Sequence, residues 1–215
     1  MPDIDVEFQR QRDVLLAKGY PGLVGMTPAQ LTACLEPLRT IAHSTAEHRA
    51  WQTTTSSHAP FVVVVSAALA RAEDLVPATR LAGGSAPGIV DRHHADDGLA
   101  SYLPIAGLEV PAAPVYLLVD VERGEEFCGV RPADALPEIL DRGRTPLTIH
   151  EGIALVTQFP GMLEKNRCFM LAGSRRSDRR VPAMWISGKA PKLGWCWAGN
   201  PHSWLGTASA GSRVA

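Results

Sequence analysis

Nowhere in these 215 residues is there an apolar run that could cross a bilayer. The longest, Pro60 to Ala70, is broken by Ser66, and a spanning helix needs about 18 or more apolar residues. The first residues, MPDIDVEFQRQRD, are acidic and contain no apolar h-region, so no secretory signal is expected and the chain reads as cytoplasmic. Cysteine is scarce. Cys34, Cys128, Cys168 and Cys196 lie far apart with no C-x-x-C pair, which argues against a zinc knuckle. Without export they are expected to be reduced, mostly buried as small hydrophobes. Net charge is nearly absent, formally -1, and no nucleic-acid motif appears, so neither nucleic acid nor a membrane is an expected partner. Internal repeats and long linkers are missing too, which predicts one domain over 1–215, helical over about 1–50 and mixed thereafter. Nothing in the sequence speaks to oligomeric state.

What is present is an ordinary globular composition, 46% hydrophobic and 20% charged, long enough to bury a substantial core. The small net charge hides an asymmetry. Residues 1–163 carry 12 Lys and Arg against 20 Asp and Glu, whereas residues 164–215 carry 9 against 2. Such a split fits either an anion-binding region or two faces that neutralise each other within one fold. Aromatic residues make up only 6%, yet four of the five Trp fall between Asn166 and Arg213. Trp is the largest anchor available to a core or pocket. The Trp195–Trp204 stretch is therefore expected to be largely buried and to organise the domain.

The local signals come in order. A helix is expected from about Asp5 to Lys18, with Phe8, Leu15 and Leu16 on one stripe and Gly19 and Pro21 ending it. Thr27, Pro28 and Gln30 open a second, which Pro37 interrupts and which fades near His43 to Arg49. Gln52 to Ser57 is a polar loop. Phe61–Val65 and Val115–Val121 are continuous apolar runs typical of buried strands. Gly83-Gly84-Ser85 lacks a following helical pattern, so it is no phosphate loop, and no cofactor is expected. Asp134–Asp141 is a short helix. Thr148-Ile-His-Glu151 is a capping box that starts a helix running to Pro160. Cys168–Ala172 and Val181–Ser187 read as an antiparallel pair joined by an Arg-rich connection. Without regular strand–helix alternation, the expected class is α+β, a single mixed domain. Its central sheet would hold 61–65, 115–121, 168–172 and 181–187, with a late antiparallel hairpin and packed helices.

From Arg144 onward the wording is distinctive: RTPLTIHEGIALVTQFP, NRCFMLAGSRRSDRRVPAMWIS and APKLGWCWAGNPHSWLG. It resembles a family of uncharacterised bacterial proteins, a domain of unknown function of the kind found in high-GC soil bacteria. LLAKGYPGL, VDVERGEEF and PFVVVVS resemble its earlier part, so the likeness covers nearly the whole chain. The resemblance implies a free-standing single domain, and no activity, cofactor or catalytic residue. The His93-His94 pair in DRHHADD is not part of it.

Four groups of residues carry possible chemistry. His93, His94, Asp96 and Asp97 are metal-type ligands, but their spacing suits a solvated loop better than a closed site, and no metal is expected. His150 beside Glu151 resembles an acid/base pair, but Glu151 has a capping role and His150 reads as exposed. Cys196, or Cys168, with Asn200 and His202 could supply a nucleophile and base, which would make the protein a hydrolase or transferase. Cys196 between two Trp equally suits an inert thiol. Finally, Arg175, Arg176, Arg179 and Arg180 offer planar forks for phosphate or carboxylate. Trp195, Trp197, Asn200, His202 and Trp204 could add stacking and hydrogen bonds; otherwise the Arg turn is a soluble hairpin tip. The leading expectation is a non-enzymatic binding or interaction protein whose ligand is a small anion held by these nine residues.

Overall fold

A computed structural model describes residues 3–48, 52–94 and 98–215. Helix α1 (Ile4–Ala17) starts where the Asp3 side chain accepts the Val6 N–H at 3.1 Å. It stops at Gly19, whose φ of 77° closes the helix as only glycine does at no cost. Pro21, expected to end that helix, lies instead inside a further turn, α2 (Tyr20–Leu23). The Thr27–Gln30 capping box opens α3 (Pro28–Leu35), and Pro37 begins α4 (Pro37–His48), so its missing N–H falls where a helix leaves donors unpaired. Arg49, where the pattern was expected to fade, lies outside the described residues, as do Asp96 and Asp97. The later helices are α5 (Ala72–Leu75), α6 (Pro132–Asp141) and α7 (Ile149–Gln158).

The strands are β1 (His58–Val65), β2 (Ile89–Val90), β3 (Leu103–Pro104), β4 (Val115–Glu122), β5 (Thr145–Pro146) and β6 (Cys168–Met170), followed by β7 (Ser174–Arg175), β8 (Arg180–Ser187), β9 (Ala190–Trp197), β10 (Leu205–Thr207) and β11 (Ser209–Val214). They form an antiparallel sheet of order β1-β4-β11-β5 and a mixed sheet of order β10-β6-β8-β9-β2. A ribbon of β3 and β7 lies apart from both. The class is α+β, and β6 does pair antiparallel with β8. The single central sheet is corrected, because 61–65 and 115–121 lie in one sheet and 168–170 and 180–187 in the other. The reason is β11. Its sequence, SAGSRV, carries no apolar run, yet it occupies the edge of β4 opposite β1. One hydrophobic cluster joins β1, β4, α7, β6, β8 and β9, so the two sheets share a core.

Three local arrangements hold this core. β1 is buried along its whole length although it is the edge strand of its sheet. Fully buried Gln11, on α1, covers that edge. Its amide donates to the Phe61 carbonyl (2.9 Å) and accepts the Val63 N–H (2.8 Å), standing in for a neighbouring strand. Within β4, Asp120 has a φ of 56°, left-handed in mid-strand. The register places it between Pro60, which has no N–H to pair, and Gly211, which has no side chain to clash. Its carboxylate holds His58 Nε2 (3.0 Å) and Arg144 Nη1 (2.8 Å). At the N-terminus of α7, fully buried Glu151 accepts the Thr148 N–H (2.7 Å), the Tyr116 hydroxyl (2.8 Å) and two Arg213 nitrogens (2.5 and 2.8 Å). The capping residue is thus also half of a buried ion pair that ties β11 to α7.

The Trp-rich tail is corrected as well. Trp197 is 43% exposed, Gly199, Asn200, Pro201 and Ser203 are exposed, and Trp195, His202 and Trp204 are only half-buried. Apolar patterning explains this. In β8 and β9 the residues that alternate with Trp195 and Trp197 (Val181, Ala183 and Cys196) already fill the core, which leaves these two indoles as cover. Among the described residues, no helix is long and apolar enough to cross a membrane.

Candidate functional site

β7 leads into the Arg turn, and the four arginines have different fates. Arg176 donates to the His94 carbonyl (3.0 Å) and pairs with Asp178 (3.4 Å). Arg179, exposed with a φ of 72°, occupies the turn itself. Arg180 pairs with Asp178 (3.1 Å) and lies over the Trp195 ring at 4.3 Å and the Trp197 ring at 5.7 Å, a cation–π stack. Arg175 is different. Its Nε and Nη2 are buried and, among the described residues, have no hydrogen-bond partner. Burial first, and then the charge of Arg179, pull its pKa below the ordinary arginine range, yet the group stays protonated. A buried donor without a partner costs on the order of 1–3 kcal/mol. Nothing in the run RRSDRR distinguishes in advance the arginine whose donors end up buried and unpartnered.

Arg175 lines a cleft of about 750 Å³ between the β3–β7 ribbon and α6. The remaining walls are mostly apolar: Leu103, Pro104 and Ile105 on one side, Leu136 and Leu140 on the other, with Ser101, Arg176 and Ser177 at the polar end. Leu103 is 64% and Leu140 50% exposed, so two of the chain's few exposed large aliphatic side chains converge here. An apolar wall beside an unpaired guanidinium matches a ligand with an apolar body and an anionic end. α6 presents these leucines because Leu136 and Leu140 are four residues apart, on one helical face, while Ile139 and Ala135 turn inward.

The remaining expected site residues do not join this cleft. Trp195 and Trp197 stand in register with Pro182 and Arg180 on one face of the hairpin and pack edge to face, 4.9 Å between centroids. Trp185 lies on the opposite face, over Gly194, where a Cβ would come within 2.0 Å of its ring. It meets Trp204 at 6.3 Å, and Trp204 meets His202 at 5.6 Å. Trp185 is five residues beyond Arg180, roughly 17 Å along a strand. The nine residues therefore fall into three places: the cleft (Arg175, Arg176), the Arg180–Trp195–Trp197 stack beside Arg179, and the Trp204–His202 pair. Asn200 is an exposed turn residue whose N–H donates to the Trp197 carbonyl (3.0 Å).

The cysteines are all free. Cys196 is buried, its Sγ against Met170 Sδ at 3.3 Å, and burial pushes its pKa up to about 12. No thiolate is available near neutral pH, and no hydrogen bond links Cys196 to His202 among the described residues. Two histidine readings are corrected. His94, expected in a solvated loop, is buried, with Nε2 3.1 Å from the Leu193 carbonyl and Nδ1 3.3 Å from the Tyr102 hydroxyl. His150, expected to be exposed, is half-buried, with Nε2 3.0 Å from the Ala70 carbonyl. In both, burial lowers the pKa. Neither could be anticipated, because the partners are backbone carbonyls 99 and 80 residues away in sequence. Among the described residues, no group of three or more His, Cys, Asp or Glu converges on a possible metal position.

Comparison with known proteins gives one family, described as a family of unknown function (DUF5701), whose model matches residues 14–215. No curated protein and no solved structure matches.

Proposed function

We propose that this chain, which belongs to the family of unknown function DUF5701, is a binding protein for a small amphipathic anion. The ligand is an aliphatic or aromatic carboxylate, or a phosphate monoester, lying in the cleft between the β3–β7 ribbon and α6. The observation that carries the reading is Arg175: a half-buried side chain whose buried Nε–Nη2 edge has no partner, at the end of an apolar wall. That edge is the fork that grips carboxylate or phosphate through two parallel N–H bonds. With the Arg175 side chain turned so that this edge meets the cleft, the ligand's anionic end would supply the acceptors that it lacks, and Leu103, Leu136 and Leu140 would cover its apolar body. The Arg180–Trp stack is outside this site and serves the hairpin. Four free thiols suit the reducing cytoplasm, where we place the protein.

The test is calorimetry and thermal shift with octanoate and hexyl phosphate, with acetate, inorganic phosphate and octanol as controls. Both amphiphiles should bind and raise the melting midpoint in proportion to the logarithm of their concentration above Kd. Each control lacks one half of the recognition and should not. Arg175→Gln should remove the gain, and Leu140→Asp should weaken it. Octanoate binding that is indifferent to both substitutions would show that the cleft is not the site.

A further inference from the structure

A second cavity, of about 440 Å³, adjoins the cleft and shares Leu103 and Pro104 with it, but its chemistry has the opposite sign. Leu99, Val110 and Ile149 give it apolar walls, and Glu73 of α5 and His150 of α7 also line it. The Ala70 carbonyl can only accept, so His150 carries its proton on Nε2, and Nδ1 is left as a lone-pair acceptor. Among the described residues Nδ1 has no hydrogen-bond partner. Glu73 uses one oxygen, Oε1, to accept the Leu99 N–H at 2.8 Å, and its other oxygen likewise has none. The depressed pKa of His150 keeps the ring neutral at pH 7, so it does not satisfy the carboxylate.

The other polar groups around the cavity are already engaged. Arg71 is exposed and bound by both nitrogens to Asp74 (2.9 Å each). The Tyr116 hydroxyl donates to Glu151 (2.8 Å), and the Tyr102 hydroxyl meets His94. The start of α7 offers little to an anion, because the Thr148 N–H goes to Glu151 and the Ile149 N–H to Ser174 Oγ (3.1 Å). What remains is a pair of acceptors, one of them anionic, in an apolar enclosure.

We infer that this cavity is a binding site for an organic amine, whose ammonium group donates to Glu73 and to His150 Nδ1 while its apolar body lies against Leu99, Val110 and Ile149. The cavity is within the size range of small-molecule sites, about 300–1,000 Å³. The proposal is independent of the anion reading, since it uses neither Arg175 nor α6.

The experiment is calorimetry at pH 7.5 with 2-phenylethylamine, against 3-phenylpropanoate as a body of similar size and opposite charge. The amine should bind one to one. Glu73→Gln keeps the acceptor for the Leu99 N–H but removes the charge, and should weaken amine binding about tenfold or more. His150→Gln keeps a donor for the Ala70 carbonyl but moves the acceptor off the Nδ1 position, and should weaken it several-fold. Ala67→Phe adds bulk to the lining and should exclude the amine without touching either acceptor. Arg175→Gln should leave amine affinity unchanged, which separates this site from the cleft. The proposal is overturned if 2-phenylethylamine does not bind. It is also overturned if a folded Glu73→Gln protein, checked by circular dichroism, binds the amine as the parent does.

Discussion

Arg213→Ala should be among the most damaging single substitutions in this protein. Arg213 is 5% exposed at its side chain and Glu151 is fully buried. The substitution removes both charged bonds to Glu151 and the Arg213 bonds to the Pro146 carbonyl (2.9 Å) and the Thr145 hydroxyl. Glu151 would keep only the Tyr116 hydroxyl and the Thr148 N–H, too little for an ionised carboxylate out of water. Breaking a buried pair from one side costs roughly 3–5 kcal/mol. At about 2–4 °C per kcal/mol for a chain of this size, the melting midpoint should fall by roughly 6–20 °C. The double variant Glu151→Gln/Arg213→Met makes the argument specific. Glutamine still accepts the Thr148 N–H and is itself a capping-box residue, so removing both charges should recover much of the loss. Urea titration followed by circular dichroism compares the parent, the single variant and the double variant. A single variant within about 1 kcal/mol of the parent, or a double variant no more stable than Arg213→Ala, would refute the claim that this pair is buried and uncompensated.

Other outcomes follow from the same contacts. Gln11→Leu should cost about 2–4 kcal/mol, measured by urea titration, because it removes the side-chain amide that bonds the Phe61 carbonyl and the Val63 N–H at the edge of β1. Gly124→Ala should cost about 2–5 kcal/mol, since a Cβ at a φ of 75° would meet the Thr207 carbonyl oxygen at 1.9 Å; an unchanged midpoint would contradict that backbone approach. His94 and His150 have folded pKa values below the unfolded value. The unfolded chain therefore binds more protons, and their contribution is intact above about pH 6.5 and falls as pH drops below it. The urea midpoint should decline from pH 7.5 to 5.5, by at most about 1.4 kcal/mol per pH unit for each histidine, and less so in His94→Gln. Trp197→Ala, at a site 43% exposed, should change the midpoint little, whereas a large drop would restore the tail to the core.

The sequence was most legible where one segment carries its own instructions. Phe61–Val65 and Val115–Val121 form strands because their apolar runs can only be buried, and α3 and α7 begin where Thr27 and Thr148 provide caps. It was least legible where the partner is distant. β11 owes its place to Arg213 finding Glu151, which are 62 positions apart, and not to the apolarity of SAGSRV. The four Trp read as a core because indoles are large, but period-two alternation puts Val181, Ala183 and Cys196 inward and Trp195 and Trp197 on the other face of the hairpin. Of the nine expected site residues, Arg175 and Arg176 line the cleft. The walls that make it a cleft, Leu103, Leu136 and Leu140, come from segments with no chemical signature of their own.

The position of β11 also sets a timetable. On the ribosome, β1 and β4 can pair as soon as Glu122 has emerged, but the other edge of β4 has no neighbour until Ser209 to Val214 follow. At about 5–20 residues per second, the roughly 90 intervening residues take on the order of 5–20 s to make. For that interval the apolar edge VYLLVDVE is open to the nearest extended chain, and Glu151 waits for its arginine. The nascent protein is thus at its most adhesive while its β1-β4-β11-β5 sheet is half built, and the insertion of one polar strand closes that exposed edge.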